Sequence, residues 1–148
     1  MDTVDDALPP AKRPMIGFDF DRVYNAMPHA LAIQMPDGSM HTVAKTSGVL
    51  RLAEADAQSL QTEPAAVIAP PVYTGVELLV DGAPAALDQV PRDACLLVSA
   101  LVGDYVRTNG LPAELAGCTV FSPATGPAYA VRSSTGAIIG TKALVRYV

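Results

Sequence analysis

The sequence predicts a mainly β fold (a barrel, a sandwich or an α+β roll) with one α-helix near residues 99–109. Three observations support this class. Short runs rich in β-forming residues alternate with turn signals along most of the 148-residue chain. Only one segment combines a helix N-cap with apolar residues at helical spacing. Apolar residues make up 50% of the chain, which is enough to bury a core without disulfides or metal ions.

Short strands and tight turns account for the N-terminal half. Met15–Asp21 predicts a strand, and Ala30–Met35 predicts a second one because its apolar residues alternate. The Pro-Asp-Gly sequence at 36–38 is a strong turn signal, since proline presets φ and glycine accepts a positive φ. Met40–Val43 therefore closes a hairpin, and Gly48–Leu52 follows as another short strand.

The middle of the chain is less regular. Residues 54–63 are polar and fit either a short helix or a loop. Val72–Val80 is rich in β-forming residues and ends at an Asp-Gly turn signal. Residues 83–92 read as a loop punctuated by proline, and Cys95–Val98 continues as an apolar segment.

The predicted helix comes next. Ser99 is placed to cap a helix over residues 100–109, and Gly110 is placed to end it with a positive φ. The apolar residues that recur at helical spacing, and that we expect to face the core, are Leu101, Val102, Tyr105 and Val106.

The C-terminal third returns to strands. The predicted strands are Cys118–Phe121, Tyr129–Arg132, Ala137–Gly140 and Lys142–Val148. Residues 133–136 (Ser-Ser-Thr-Gly) are typical of a hairpin loop between the second and third of these strands.

The chain divides into an extended N-terminal arm over residues 1–14 and a single β-rich domain over residues 15–148. The arm contains three prolines and lacks periodicity, so we expect it to fold only against a partner. Its candidate partner-binding residues are Leu8, Pro9, Pro10, Lys12 and Arg13.

Charge and composition narrow the classes of function. The net charge of −5 and the absence of Trp argue against direct binding of nucleic acid, which needs a basic face and stacking platforms. Charged residues are only 17% of the chain, which favours a subunit of a homo-oligomer. No apolar run has the length of a membrane span, and the N-terminus lacks the pattern of a signal peptide, so we expect a cytosolic protein.

Catalytic patterns are weak. Cys95 and Cys118 each lie in an apolar run, and a buried thiol is the default interpretation for both. His29 and His41 are the candidate bases for a nucleophilic site. The sequence has no glycine pattern of a nucleophile elbow, and neither cysteine lies in a polar, cationic context that would lower its pKa. The Asp-Phe-Asp sequence that ends at Asp21 is a weak metal signal by itself. The sequence therefore predicts a non-enzymatic protein without metal or cofactor.

Three C-terminal cations form the candidate anion-binding set: Arg132, Lys142 and Arg146. Lys142 and Arg146 are four apart on one predicted strand, so they are expected to share a face. Such a set is able to grip phosphates or carboxylates. The alternative is a group of solubilising cations on an exposed strand face.

Several short segments resemble a family of small tailed-phage and prophage proteins. The segments are Asn25–Ala30, Ser47-Gly48 with Arg51, Val98–Val102, Ser122–Pro127, Val131-Arg132, Gly136, Ile138–Gly140 and Leu144–Arg146. Their order and spacing are similar to the "TPH" turn, the "SALV" helix start and the "PDTGP…VRD..G.I.G" ending of that family. Ala124 and Ser133 depart from it, because the family often has Asp at both positions.

The resemblance implies a virion component, such as a capsid decoration protein or a head–neck accessory protein. Its expected partners are other phage structural proteins, and its expected location is the virion or the host cytoplasm. The chain is also similar in size and ending to Thoeris anti-defence proteins, which sequester cyclic nucleotide signals. That alternative implies that Arg132, Lys142 and Arg146 hold phosphates.

Overall fold

A computed structural model describes residues 17–148, so the predicted arm lies outside the described residues. The elements in this range are β1 (Val23–Asn25), β2 (Leu31–Gln34), β3 (Met40–Val43), β4 (Gly48–Glu54), β5 (Ser59–Gln61), β6 (Val67–Ile68), β7 (Tyr73–Val80), β8 (Ala83–Ala85), β9 (Cys95–Leu97), α1 (Ala100–Asn109), β10 (Thr119–Pro123), β11 (Ala130–Arg132), β12 (Ile138–Thr141) and β13 (Leu144–Arg146). The mainly β fold with one α-helix is confirmed.

The strands of residues 17–148 form four sheets. The central sheet has the order β1-β9-β10-β13, with β1, β9 and β10 parallel. The outer sheet has the order β11-β12-β2-β3, and the helix-side sheet has the order β4-β7-β8. The fourth sheet contains β5 and β6 alone.

The central sheet is buried on both faces. Leu97 and Phe121 pack with Ile33 of the outer sheet, whereas Leu96 and Val98 pack with α1 and the helix-side sheet. Successive strand residues point to opposite faces, so a sheet covered on both sides needs apolar residues at every position. This arrangement explains the uninterrupted apolar run at 95–98.

The helix begins and ends where the sequence predicts. The Ser99 hydroxyl accepts a hydrogen bond from the Val102 N–H, and Gly110 has a φ of 86°. The predicted core face is wrong at Leu101, which is 53% exposed. The buried face instead includes Gly103, where an added Cβ would collide with the ring of Tyr147.

The turns predicted at 36–38 and at 81–82 are confirmed. β2 and β3 pair in antiparallel register across the 36–38 turn. The Asp37 carboxylate accepts from the side chain and the backbone N–H of Ser39, and these bonds lower the pKa of Asp37. Asp81 and Gly82 both have positive φ, as a tight turn between β7 and β8 requires.

Several segments differ from the prediction, among them residues 83–92, which the sequence predicts as a loop and which begin with β8. Residues 17–21 are not a strand, because Asp19 caps a single 3-10 turn over Phe20–Arg22. The polar 54–63 segment, predicted as a helix or loop, contains β5. The predicted strand Lys142–Val148 begins only at Leu144, because the Thr141 hydroxyl accepts from the Ala143 N–H and turns the chain there.

Candidate functional site

A cavity of about 360 Å3 opens where α1 begins. Part of its lining is the turn before β2 together with the start of β2, and another part is the neighbouring strand β12. The first residues of α1 and the end of β10 complete it. The lining residues are Met27, His29, Ala30, Leu31, Ala32, Ser99, Ala100, Pro123, Ala124, Thr125, Ile138, Ile139, Gly140 and Thr141.

The turn that carries His29 is held by a buried asparagine. The Asn25 amide donates to the carbonyl oxygens of His29 and Val43, at 3.1 and 3.2 Å. Its side-chain oxygen accepts from the Met27 N–H. Because Asn25 is fully buried, each of these bonds replaces water that the side chain has lost. Asn25 therefore holds the turn that lines the cavity, although Asn25 itself is not part of the lining.

The part of the lining that β12 provides depends on a close approach between β12 and its neighbour β2. A Cβ at Gly140 would lie 2.6 Å from the Ala32 carbonyl oxygen, so only glycine fits there. Next to it, the buried Thr141 hydroxyl lies 2.7 Å from the Ala124 carbonyl oxygen. This contact ties the end of β12 to the loop after β10, and the cavity lies between these segments.

The cavity lining is mainly apolar and contains no acidic residue, lysine or arginine. Its polar side chains are those of His29, Ser99, Thr125 and Thr141. The Ser99 hydroxyl caps α1, and the Thr141 hydroxyl bonds within the wall. An apolar lining with a few polar groups suits a small apolar ligand or the apolar side chains of another protein.

Four of the segments that carry the phage-protein resemblance meet at this cavity. They are Asn25–Ala30, Val98–Val102, Ser122–Pro127 and Ile138–Gly140. The sequence shows their order, but their convergence depends on the parallel pairing of β12 with β2, which brings residues more than 100 positions apart together. The cavity itself was not predicted from the sequence.

The three predicted anion-binding cations have separate surroundings. Arg132 is opposite Ile138 in the β11–β12 pair, and its guanidinium donates to the Gly136 carbonyl. Lys142 follows Thr141 and lies near the β2–β3 turn. Arg146 packs over the ring of Phe121, 5.9 Å from its centroid, and donates to the Val148 carbonyl.

None of the three cations lines the cavity. Arg132 is the register partner of the lining residue Ile138, and Lys142 follows the lining residue Thr141 but faces the β2–β3 turn. The prediction that Lys142 and Arg146 share one strand face is wrong, since Lys142 lies in the bend between β12 and β13. The predicted partner-binding residues of the arm, Leu8 to Arg13, lie outside residues 17–148.

The two thiols and the two histidines have different surroundings. Cys95 and Cys118 are both free and buried, as the sequence predicts. Burial raises the pKa of the Cys118 thiol, which disfavours the nucleophilic thiolate. The His41 ring packs 4.2 Å from the ring of Phe20, whereas His29 is exposed at the cavity.

A second feature that the sequence did not reveal is a projecting hairpin, which we define as residues 54–72 and which contains β5 and β6. Every residue of the projecting hairpin is exposed except Ala69, which is half-buried. The large apolar side chains at its surface are Leu60 (58% exposed), Val67 (41%), Ile68 (60%) and Val72 (64%).

The described residues narrow the chemistry further. Residues 17–148 contain no group of three or more His, Cys, Asp or Glu side chains arranged to hold a metal ion. No helix in the same range has the length and hydropathy needed to cross a bilayer. Comparison with protein-family models, with curated proteins and with solved structures found no match to this chain.

Proposed function

We propose that the chain is a non-enzymatic assembly protein that binds neighbouring protein subunits. The observation that carries this proposal is the projecting hairpin with four large apolar side chains in water. A two-stranded hairpin without a core is only marginally stable in water. Large apolar side chains exposed at this density are typical of protein–protein contact sites. A partner that covers the hairpin removes both disadvantages.

The chemistry of the described residues supports a binding role over catalysis. The cavity at α1 has one titratable side chain in its lining, His29, and lacks a partner group for acid–base work there. The two thiols are buried in the core clusters or against them. A site for nucleophilic catalysis needs an accessible nucleophile next to a base.

The resemblance to small tailed-phage proteins extends the proposal to a virion component. Capsid decoration and head–neck proteins act by binding several neighbouring subunits in a symmetric shell. The low content of charged residues supports such a role, because a subunit surface becomes buried on assembly. The N-terminal arm, through Leu8, Pro9, Pro10, Lys12 and Arg13, is the second proposed contact.

The test compares particles that assemble with altered chains. Leu60, Val67 and Ile68 are replaced together by serine in the phage genome that encodes the chain. We expect the copy number in purified particles, measured by quantitative mass spectrometry, to fall roughly tenfold or more, as the loss of central apolar contacts predicts. The control is Leu101→Ser, which removes an equally exposed leucine outside the hairpin.

A deletion of residues 1–14 is tested in the same particles. We expect the arm deletion to reduce incorporation while the thermal unfolding midpoint of the purified domain stays unchanged. If the hairpin variant and the arm deletion are both incorporated like the wild-type chain, the assembly proposal is wrong.

The second candidate function is sequestration of a cyclic nucleotide signal. The observation that favours it is that α1 begins at the cavity, since helix N-termini are a common place for phosphate, and that Arg132 is the register partner of the lining residue Ile138. Calorimetry with cyclic ADP-ribose isomers and cyclic oligonucleotides tests it. Binding should be lost in Arg132→Ala and kept in Arg146→Ala, because Arg146 packs on Phe121 instead. No heat with any compound of the panel would exclude this function.

A further inference from the structure

We infer that the projecting hairpin of one copy docks at the α1 cavity of a second copy, in a head-to-tail contact. This inference rests on the proposed assembly function and names the partner and the surface. We define the receiving surface as the cavity lining together with Tyr129, Arg132 and Lys142 beside it.

Charge is segregated along the chain in a way that matches these two surfaces. Residues 52–91 contain six acidic residues and no lysine or arginine. Residues 115–148 contain three basic residues, Arg132, Lys142 and Arg146, and no acidic residue. The hairpin belongs to the first segment and much of the receiving surface belongs to the second. Opposite charges at the rim of an interface steer the partners and fix their register.

The hairpin carries its acids next to its apolar side chains. Glu54 and Asp56 lie near its base, and Glu63 lies in the loop between β5 and β6. Leu60 and Ile68 are both more than half exposed between them. The hairpin therefore presents an apolar centre with an acidic rim.

The receiving surface has the complementary composition. Ile138 and Ile139 line the cavity, and each is 53% exposed. Tyr129 is also exposed, just before β11. Arg132 is the register partner of Ile138, and Lys142 follows the lining residue Thr141. β11 is moreover an edge strand of the outer sheet, so its outer backbone groups are open to pairing with an added strand.

Within one chain, the projecting hairpin does not occupy the cavity at α1. Among the described elements, β5 and β6 make their substantial contacts only with each other. The cavity lining includes no hairpin residue. Because hairpin and cavity are different patches, a head-to-tail contact generates a ring or an open chain of subunits, whereas a reciprocal contact closes a two-fold dimer.

The experiment uses two variants of the full chain that each lose one surface. The hairpin variant is Leu60→Ser with Val67→Ser and Ile68→Ser, and the receiver variant is Arg132→Glu with Ile138→Asp. All five side chains are exposed, so folding should be preserved, and circular dichroism checks this. Sedimentation velocity over a concentration series measures association.

We expect the wild-type chain to self-associate and each variant alone to be monomeric. Their mixture should form a 1:1 heterodimer, because the hairpin variant keeps a receiving surface and the receiver variant keeps a hairpin. In a separate chain, Arg132→Glu should weaken self-association roughly tenfold, and adding Glu63→Arg should restore it. The matched control Arg92→Glu, an exposed cation outside both surfaces, should associate like the wild type.

Several outcomes overturn the inference. Unchanged association of either variant does so, as does a mixture that stays monomeric. A receiver variant that still dimerises would show a hairpin-to-hairpin contact instead. A wild-type chain that is monomeric throughout, while the hairpin variant is lost from particles, refutes the second-copy contact and leaves the assembly function standing. Self-association by this contact, with unchanged incorporation of both the hairpin variant and the arm deletion, refutes the assembly function alone.

Discussion

The central sheet and the projecting hairpin use the same kinds of residue in opposite settings. Leu96 and Leu97 of the central sheet are almost completely buried, whereas Leu60 and Ile68 of the hairpin are more than half exposed. Both segments are short strands with apolar side chains. The difference lies in what covers them: two layers pack on the central sheet, whereas within residues 17–148 β5 and β6 make substantial contacts only with each other. Apolar content alone therefore does not distinguish a core strand from a docking strand.

The largest expected effect tests this contrast directly. Phe121→Ala should lower the free energy of unfolding by about 3–5 kcal/mol, because it removes a buried ring and leaves a cavity in the central layer. Leu60→Ala, its counterpart in the hairpin, should change that energy by less than about 0.5 kcal/mol in dilute protein. Urea denaturation at a concentration where the chain is monomeric measures both. A comparable loss in the two variants would mean that the hairpin is part of the core.

A smaller effect is expected at the polar support of the cavity. Asn25→Ala should cost about 1–3 kcal/mol, because the carbonyls of His29 and Val43, the second of them in a buried bond, lose their hydrogen-bond donor. Asn109→Ala removes an amide that donates to the Tyr105 carbonyl at the exposed end of α1. Chemical denaturation should show little change in this control. Equal costs at the two asparagines would contradict the structural role of Asn25.

Gly103 provides the next test, because propensity and packing predict opposite signs. Alanine raises helix stability by about 1 kcal/mol over glycine at an exposed site. At Gly103 the added Cβ meets the Tyr147 ring, so the substitution should instead destabilise by about 1–2 kcal/mol. Differential scanning calorimetry measures the sign. In a Tyr147→Ala background the same substitution should become stabilising, and a loss there as well would indicate another cause.

The smallest effect concerns reactivity and leaves stability unchanged. The native chain should resist a thiol reagent under non-denaturing conditions, because both cysteines are buried and burial raises the pKa of Cys118. A cysteine introduced by Ser59→Cys in the hairpin should react at once. Mass spectrometry after brief labelling counts the modified thiols. Rapid labelling of Cys95 or Cys118 in the native state would reopen a catalytic interpretation.

The local parts of the fold were predictable because they depend on neighbouring residues. Ser99 and Gly110 mark the ends of α1, and the Pro-Asp-Gly turn marks the β2–β3 hairpin. The apolar run at 95–98 also indicated a strand. The exposure of Leu101 was not predictable in this way, because it depends on which side of α1 the rest of the fold covers, and that side carries Val102, Gly103 and Val106.

The candidate site was predictable only in pieces. The segments around His29, Ser99, Thr125 and Ile138 stood out in the sequence, but no local rule places them around one cavity. Arg132 and Lys142 were singled out as cations, and the structure adds that Arg132 is the register partner of the lining residue Ile138, whereas Lys142 lies near the β2–β3 turn. The grouping of Lys142 with Arg146 was wrong because it assumed one continuous strand, and the hydroxyl of Thr141 breaks that strand.

The sequence by itself determined the strand-rich class, the single helix with its caps, the turns and the uneven distribution of charge. These features follow from backbone preferences and from side-chain types within a few residues. Only the tertiary structure decided that Ile138 and Ile139 line a cavity and that the side chains of Leu60 and Ile68 are exposed to solvent. Burial depends on which layers pack over a strand, and that is set by pairings between distant segments, such as Ile33 with Thr141.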